Sequence, residues 1–403
     1  MVRFALLLVL CMMPPALPLA RAADVPLGIP AEGPAFRGQL VAADSAWKLR
    51  FADAGAQREI AGGDLALWGA FVEPAHGVRI LLAGGGLVVL DSVEVKGEQL
   101  RGESQLFGTL DLPLETIAGI VFHPPLARAG DDRLAARIDA PTGQSDRVLL
   151  ENGDELTGTI VSLEEKVLTL QTADRVGADK VDVETKTVAA VIFNPTLIQK
   201  SRPSGLRALV GLSDGSRVTA IAITANQKSA QIKLIGGAVI QCSTDAIAAL
   251  QPLGGRAVYL SDLKPASYRH IPYLQLSWPY VADRSVLGGQ LRAGGKLYAK
   301  GLGMHSPARI TYDFDRAYRR FETDVAIDAE SGPGGSAVFH VFIDDGSGTW
   351  QERATSETIR GGDPPEPLSV DVGGAKRISL LVDFADHGDE LDHADWLNAR
   401  LMR

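Results

Sequence analysis

A closing phrase of eight residues occurs twice and constrains the fold more than any other feature of the chain. Ile117-Ala118-Gly119-Ile120-Val121-Phe122-His123-Pro124 is followed later by Val188-Ala189-Ala190-Val191-Ile192-Phe193-Asn194-Pro195. Each phrase ends a segment that opens on a glycine-centred turn. The earlier one opens with Ile80-Leu81-Leu82-Ala83-Gly84-Gly85-Gly86-Leu87, the later one with Val148-Leu149-Leu150-Glu151-Asn152-Gly153-Asp154-Glu155-Leu156. Asn-Gly supplies the positive φ that a tight hairpin needs, so two strands are expected around it. Thr157, Thr159, Val161 and Leu163, then Val167, Thr169 and Gln171, alternate with period two, which marks half-buried strands. A looser third copy keeps Leu212-Ser213-Asp214-Gly215-Ser216 at its turn and Ile247-Ala248-Ala249-Leu250 at its close. Phe36 to Pro74 reads as a degenerate leading copy. A period of roughly 60–70 residues is long for a solenoid and fits small barrels of about five short strands in series. The units expected are 23–75, 76–140, 141–200 and 201–254. His123 faces Asn194 in the alignment and suits a turn role, while Phe122 and Phe193 suit a core.

Composition changes at Pro252-Leu253-Gly254-Gly255, a turn-forming cluster of the kind that separates domains. All seven tyrosines of the sequence lie after it. From there to residue 403, short alternating runs recur between Gly, Pro and Asp clusters: Arg309 to Phe314, Phe321 to Asp328, Ala337 to Ile343, Leu368 to Val372 and Ile378 to Phe384. Such spacing predicts a β-sandwich of jelly-roll type, with Phe321, Val325, Ile327, Val338, Phe342, Leu380, Val382 and Phe384 inside. The expected fold class is therefore all-β, tandem small β-barrel-like repeats followed by a jelly-roll β-sandwich. The Leu150 to Gly158 opening of the second copy resembles the Sm-like and SH3-like barrels, which concerns fold alone.

Five blocks in the last third, taken in order, resemble the NPCBM family of carbohydrate-binding modules. They are Tyr259-Leu260-Ser261-Asp262-Leu263; Asp283-Arg284-Ser285-Val286 with Gly288-Gly289; Gly295 to Ser306; Tyr318 to Phe321 with Val325 to Asp328; and Asp392 to Leu401. The resemblance implies a sandwich related to galactose- and glycan-binding modules attached to glycosidases, and a bound calcium ion. Sugars offer hydroxyls to planar polar groups and a C–H face to an aromatic ring. His305, His393, Asp395 and Trp396 are the carbohydrate-binding candidates on that ground, against a core role for Trp396 and a strand-tying role for Asp395 and His305. Within the acidic run from Asp383 to Asp395, Asp386 and Asp392 are the candidate ligands for a structural Ca²⁺, although EF-hand order is absent and a solvated loop would read the same way.

Other classes are disfavoured. A formal net charge of -9 lacks the clustered Lys and Arg that nucleic acid requires. Cys11 and Cys242 allow no disulfide framework once the first is lost with a leader. Met1 to Ala22 has the three parts of a signal peptide, with Arg3, an apolar stretch to Met13 and Ala20-Arg21-Ala22, so export to periplasm or exterior is expected without a stable membrane span. No zinc-protease motif occurs: His387-Gly388-Asp389-Glu390 runs into Leu391 where the inverted form needs histidine. A nucleophile elbow and a Walker loop are likewise missing from the sequence. The expected function is an exported, non-catalytic glycan-binding protein. A cell-envelope scaffold and a glycoside hydrolase, whose carboxylate pair one sequence cannot exclude, are the alternatives.

Overall fold

A computed structural model describes residues 25–53, 55–74, 76–172, 179–199, 203–272, 276–386 and 388–403. The leader expected at residues 1–22 lies outside them, as does His387. The chain is almost entirely antiparallel β-structure.

Before residue 254 one strand plan is executed four times. The clearest instance comprises Arg207–Leu212, Arg217–Ala225, Ser229–Leu234, Val239–Ser243, a 3-10 turn at Thr244–Ala246, and Ile247–Leu253. The first four strands meander, and the fifth returns to pair with the first (Val210 opposite Leu250). Equivalent 3-10 turns, Gly62–Asp64, Leu114–Thr116 and Thr185–Thr187, precede the fifth strand elsewhere. Gly215, in the turn between the first two strands, has φ +85, which L side chains adopt only under strain, and a Cβ there would also meet Pro74 and the Glu73 carbonyl. The leading copy begins with the strand Leu27–Pro30, earlier than the alternation from Phe36 indicated.

The expectation of barrels needs one correction. Among the described residues no pairing joins the fourth strand of a unit to its fifth, so the units curl without closing. They share edges instead. Ile117–Val121 pairs with Val188–Ile192, and Leu65–Gly69 with Ile247–Leu253, so the recurring closing phrases meet one another across unit boundaries. Second strands also touch between units, with Leu163 opposite Val95 and Ala225 opposite Ala43. This makes a 22-stranded continuous sheet around a core to which all the units contribute. Trp68 is fully buried there, and its indole N–H donates to the Gly38 carbonyl at 2.7 Å, as a buried polar atom requires.

One α-helix, Arg128–Asp139, interrupts the β-structure. Leu134, Ala135 and Ile138 form its short apolar stripe against the sheet. Its acids face other ways, and all three hold arginines: Asp131 on Arg79 at 2.6 Å, Asp132 on Arg292 at 2.6 Å, and Asp139 on Arg284. Arg284 and Arg292 belong to the C-terminal segment, so the helix is a clamp between the two halves of the molecule. Tyr259 adds a hydrogen bond from its hydroxyl to the Ala66 carbonyl (2.8 Å), and Gln251 another to Asn398 (3.0 Å).

The C-terminal segment is a sandwich of two antiparallel sheets. One has the order Val281–Ala282, Gly301–His305, His393–Met402, Arg320–Ile327, Glu366–Asp371; the other Ser267–His270, Ala308–Asp313, Arg377–Phe384, Ser336–Asp344, Gln351–Thr355. Phe321, Val325, Ile327, Leu380 and Val382 are inside as expected. Val338 and Phe342 are not, and Phe384 is exposed. Along Ser336–Asp344 the buried set is Ala337, Phe339, Val341 and Ile343, one residue out of phase with the expected set. Because side chains alternate across a strand, a shift of one exchanges the two faces completely.

Candidate carbohydrate-binding site

The sequence candidates separate into those sealed in the core and those gathered at one end of the sandwich. Trp396 and Asp395 sit in His393–Met402, whose ten residues are all buried because neighbouring strands cover both edges and matter covers both faces. The Trp396 ring packs edge-on against Phe339 at 5.1 Å between centroids. It is core, and cannot present a face to a sugar. Asp395 is also wholly buried, with its carboxyl toward that of Asp328. Burial first, and the second carboxyl next, push its pKa well above the ordinary range. Its oxygens find no donor while ionised. Burial beside Asp328 favours the protonated form of Asp395, which can then donate toward the Asp328 carboxylate.

The calcium expectation fails at its named ligands. Asp392 spends both oxygens inside the fold, one accepting from the Ser306 hydroxyl at 2.5 Å and the other from the Ser336 N–H at 2.7 Å. Asp386 is tied to Arg360 at 2.8 Å. Among the described residues no group of three or more His, Cys, Asp or Glu is placed to hold a metal ion. Ca²⁺ takes about 6–8 oxygen ligands, and these two aspartates are committed elsewhere.

His305 and His393 do come together. They end and begin adjacent strands, stand opposite each other in register, and have ring centroids 5.6 Å apart. Trp278 stacks on His305 at 5.0 Å and an interplanar angle of 4°, and His270 meets the same imidazole edge-on at 5.7 Å. Both strand-end histidines are buried beneath the half-buried indole. Burial, and then His305, lower the His393 pKa to about 4, and its Nδ1 is buried without a partner. This cluster ties off the end of the sandwich and has two buried polar atoms without a partner, His270 Nε2 and His393 Nδ1, beside a partly open ring.

A second arrangement, around the outer face of the other sheet, was missed in the sequence. A groove of about 540 Å³ runs over Ser267–His270, Ala308–Asp313 and Arg377–Phe384, from Ile271 and Pro307 at one end to Trp350 at the other. Trp350 is half-buried, with the Arg309 and Arg377 guanidinium groups 4.7 and 4.9 Å from its ring centre. Arg377 is braced by Asp344, whose side chain is fully buried, and Arg309 donates to Ser379. Ser267, Arg269 and Thr311 add polar atoms along the floor. Braced cations, hydroxyls and an accessible indole are the groups that a pyranose meets with its hydroxyls and its C–H face. The signal was present in the sequence: Trp350 follows Asp344-Asp345-Gly346-Ser347-Gly348-Thr349, and a large aromatic in a polar, glycine-rich loop has no core to fill.

Residues 256–402 match the NPCBM/NEW2 domain. The match takes in the whole sandwich, including both arrangements, and leaves the repeat units outside it. A curated relative, "Putative endo-alpha-N-acetylgalactosaminidase" of Renibacterium salmoninarum, is 31% identical over 115 residues, which is 28% of this chain and 7% of that protein. The chain thus spans only a small fraction of that relative's length. Among solved structures, the second CBM51 module with GlcNAc and INT domains from Clostridium perfringens ZmpB is 27% identical, covering 46% of this chain and 37% of that one at TM-score 0.33. CBM51 from Clostridium perfringens GH95, in complex with methyl-galactose, is 25% identical and covers 36% of this chain and 99% of that one at TM-score 0.32.

Proposed function

We propose that the chain is a non-catalytic glycan-binding protein whose NPCBM/NEW2 segment takes a galactose-type or related sugar in the groove beside Trp350. The observation that carries this reading is an indole at the groove mouth flanked by two cations, each fixed by a partner in the fold. Fixed donors lose little freedom on binding, and an aromatic face accepts the apolar side of the ring. Export fits the leader-like residues Met1 to Ala22 and a ligand met outside the cell. No helix among the described residues is long and apolar enough to cross a membrane.

A glycan array probed with the whole chain tests the reading. Binding is expected to fall at least about tenfold in Trp350→Ala, the scale of one lost aromatic contact, with thermal unfolding little changed. Loss in Trp278→Ala and retention in Trp350→Ala would move the sugar to the imidazole cluster. A folded protein that binds nothing on the array would favour the scaffold reading, and hydrolysis of chromogenic glycosides would favour an enzyme.

A further inference from the structure

Where the repeat units meet the sandwich there is a cleft of about 600 Å³, separate from the groove beside Trp350. One wall is the hairpin of Arg207–Leu212 and Arg217–Ala225. Strand alternation puts Arg207 and Leu209 on the same face as Arg217 and Thr219, and all four line the cavity. The opposite wall comes from the sandwich, with Ser261, Tyr298 and Lys300.

The charges in and around this cleft are unevenly matched. Lys300 is held by Asp262 and Asp283 at 2.7 and 2.6 Å, and Arg284 by Asp139. Arg292, nearby, has Asp132 and Glu73. Among the described residues Arg217 makes no direct ion pair: its guanidinium donates to Gln290 Oε1 at 2.8 Å, and the carboxylates that act on it, Glu73 and Asp139, are each bound to another arginine. Among the described residues Arg207 reaches only the Gly205 carbonyl, at 3.2 Å. Arg217 is closely surrounded by protein yet opens onto the cavity. That burial, and then the neighbouring Arg284, lower its pKa to about 10, so it stays charged at neutral pH. A cation held in partial burial without a direct ion pair, its nearest carboxylates bound to other arginines, is costly, and a ligand anion reduces the cost. The Ser261 hydroxyl, also buried at the cavity wall, has no hydrogen-bond partner. A bare carboxylate or phosphate would leave most of this volume unused, since sites for small molecules span about 300–1,000 Å³.

We propose that this cleft is a second binding site, for a small acidic saccharide whose anionic group sits between Arg217 and Arg207 and whose hydroxyls meet Ser261 and Tyr298. The site requires both halves of the molecule, since neither wall forms a cavity by itself.

Calorimetric titration of the full chain with glucuronate, galacturonate, a sulfated monosaccharide, inorganic sulfate and neutral galactose tests it. Acidic sugars are expected to bind. Arg217→Gln should weaken them by at least about tenfold, the scale of one charge-assisted contact. Trp350→Ala should leave them unchanged, which separates this site from the groove. If Arg217→Gln unfolds, Arg207→Gln provides the same reading, because its side chain makes only a local contact. Binding of neutral and acidic sugars alike, binding of inorganic sulfate as tightly as of the uronates, or full binding by a folded Arg217→Gln protein would each overturn the proposal.

Discussion

Asp395 was singled out as a carboxylate for sugar hydroxyls, and the structure makes it half of a buried acid pair. The sequence could not distinguish these uses, because the partner, Asp328, directly follows the neighbouring strand Arg320–Ile327 and their meeting depends on sheet order. His305 and His393 were named as separate candidates, and that they meet follows only from two strands abutting in register. Trp278 and Trp350 were passed over: an aromatic outside an apolar run carries no periodicity, and for Trp350 the polar, glycine-rich loop before it was the available sign. The buried groups have opposite effects on stability. A carboxyl whose pKa is raised on folding binds more protons in the native state, so its contribution falls as pH rises above about 4, the unfolded carboxyl value. His393, lowered to about 4, binds fewer, so its contribution grows from pH 4 to about 6.5 and is lost again on acidification. Asp395→Asn removes the first slope only. Its thermal midpoint, followed from pH 4 to 7.5, should pull progressively ahead of wild type toward neutral pH, by roughly a few degrees. A constant offset across that range would refute a protonated Asp395.

At the scale of the strand, period-two alternation located the elements but fixed their phase poorly where both residue classes are apolar. Ala337-Val338-Phe339-His340-Val341-Phe342-Ile343 offers two apolar faces, each with one phenylalanine, so alternation alone does not choose between them. Phe339 meets Trp396 in the core, whereas Phe342 lies on the outer face near Arg309 and His340. Chemical denaturation should therefore show Phe339→Ala costing about 3–5 kcal/mol and Phe342→Ala below about 1 kcal/mol. Equal costs would restore the original phase. The helix Arg128–Asp139 was overlooked for a related reason. Its apolar stripe is only Leu134, Ala135 and Ile138, and its remaining residues are read by the rest of the molecule through charge.

For the molecule as a whole, the recurring phrase foretold several similar units, and their strand plan follows from it. Their mutual pairing did not, since edges that look alike in sequence give no indication of whether they close on themselves or on a neighbour. The junction with the sandwich rests on Arg292, which is largely buried between Asp132 and Glu73. Burial alone would lower its pKa, and the bonds to the two acids outweigh that and raise it. Arg292→Ala leaves buried Asp132 without its cation, at a cost of about 3 kcal/mol; Glu73 is more exposed and adds little. Urea unfolding followed at the tryptophans should then separate into two steps, sandwich and repeats apart. A single unshifted transition would show that the junction does not depend on this contact.

The helix clamp also has a mechanical consequence for the proposed glycan site. With Asp132 and Asp139 gripping the sandwich, tension applied at the Trp350 groove passes straight into the repeat units, with no slack tether to take it up. The protein would behave as a stiff bracket whose orientation toward a surface is fixed when it folds.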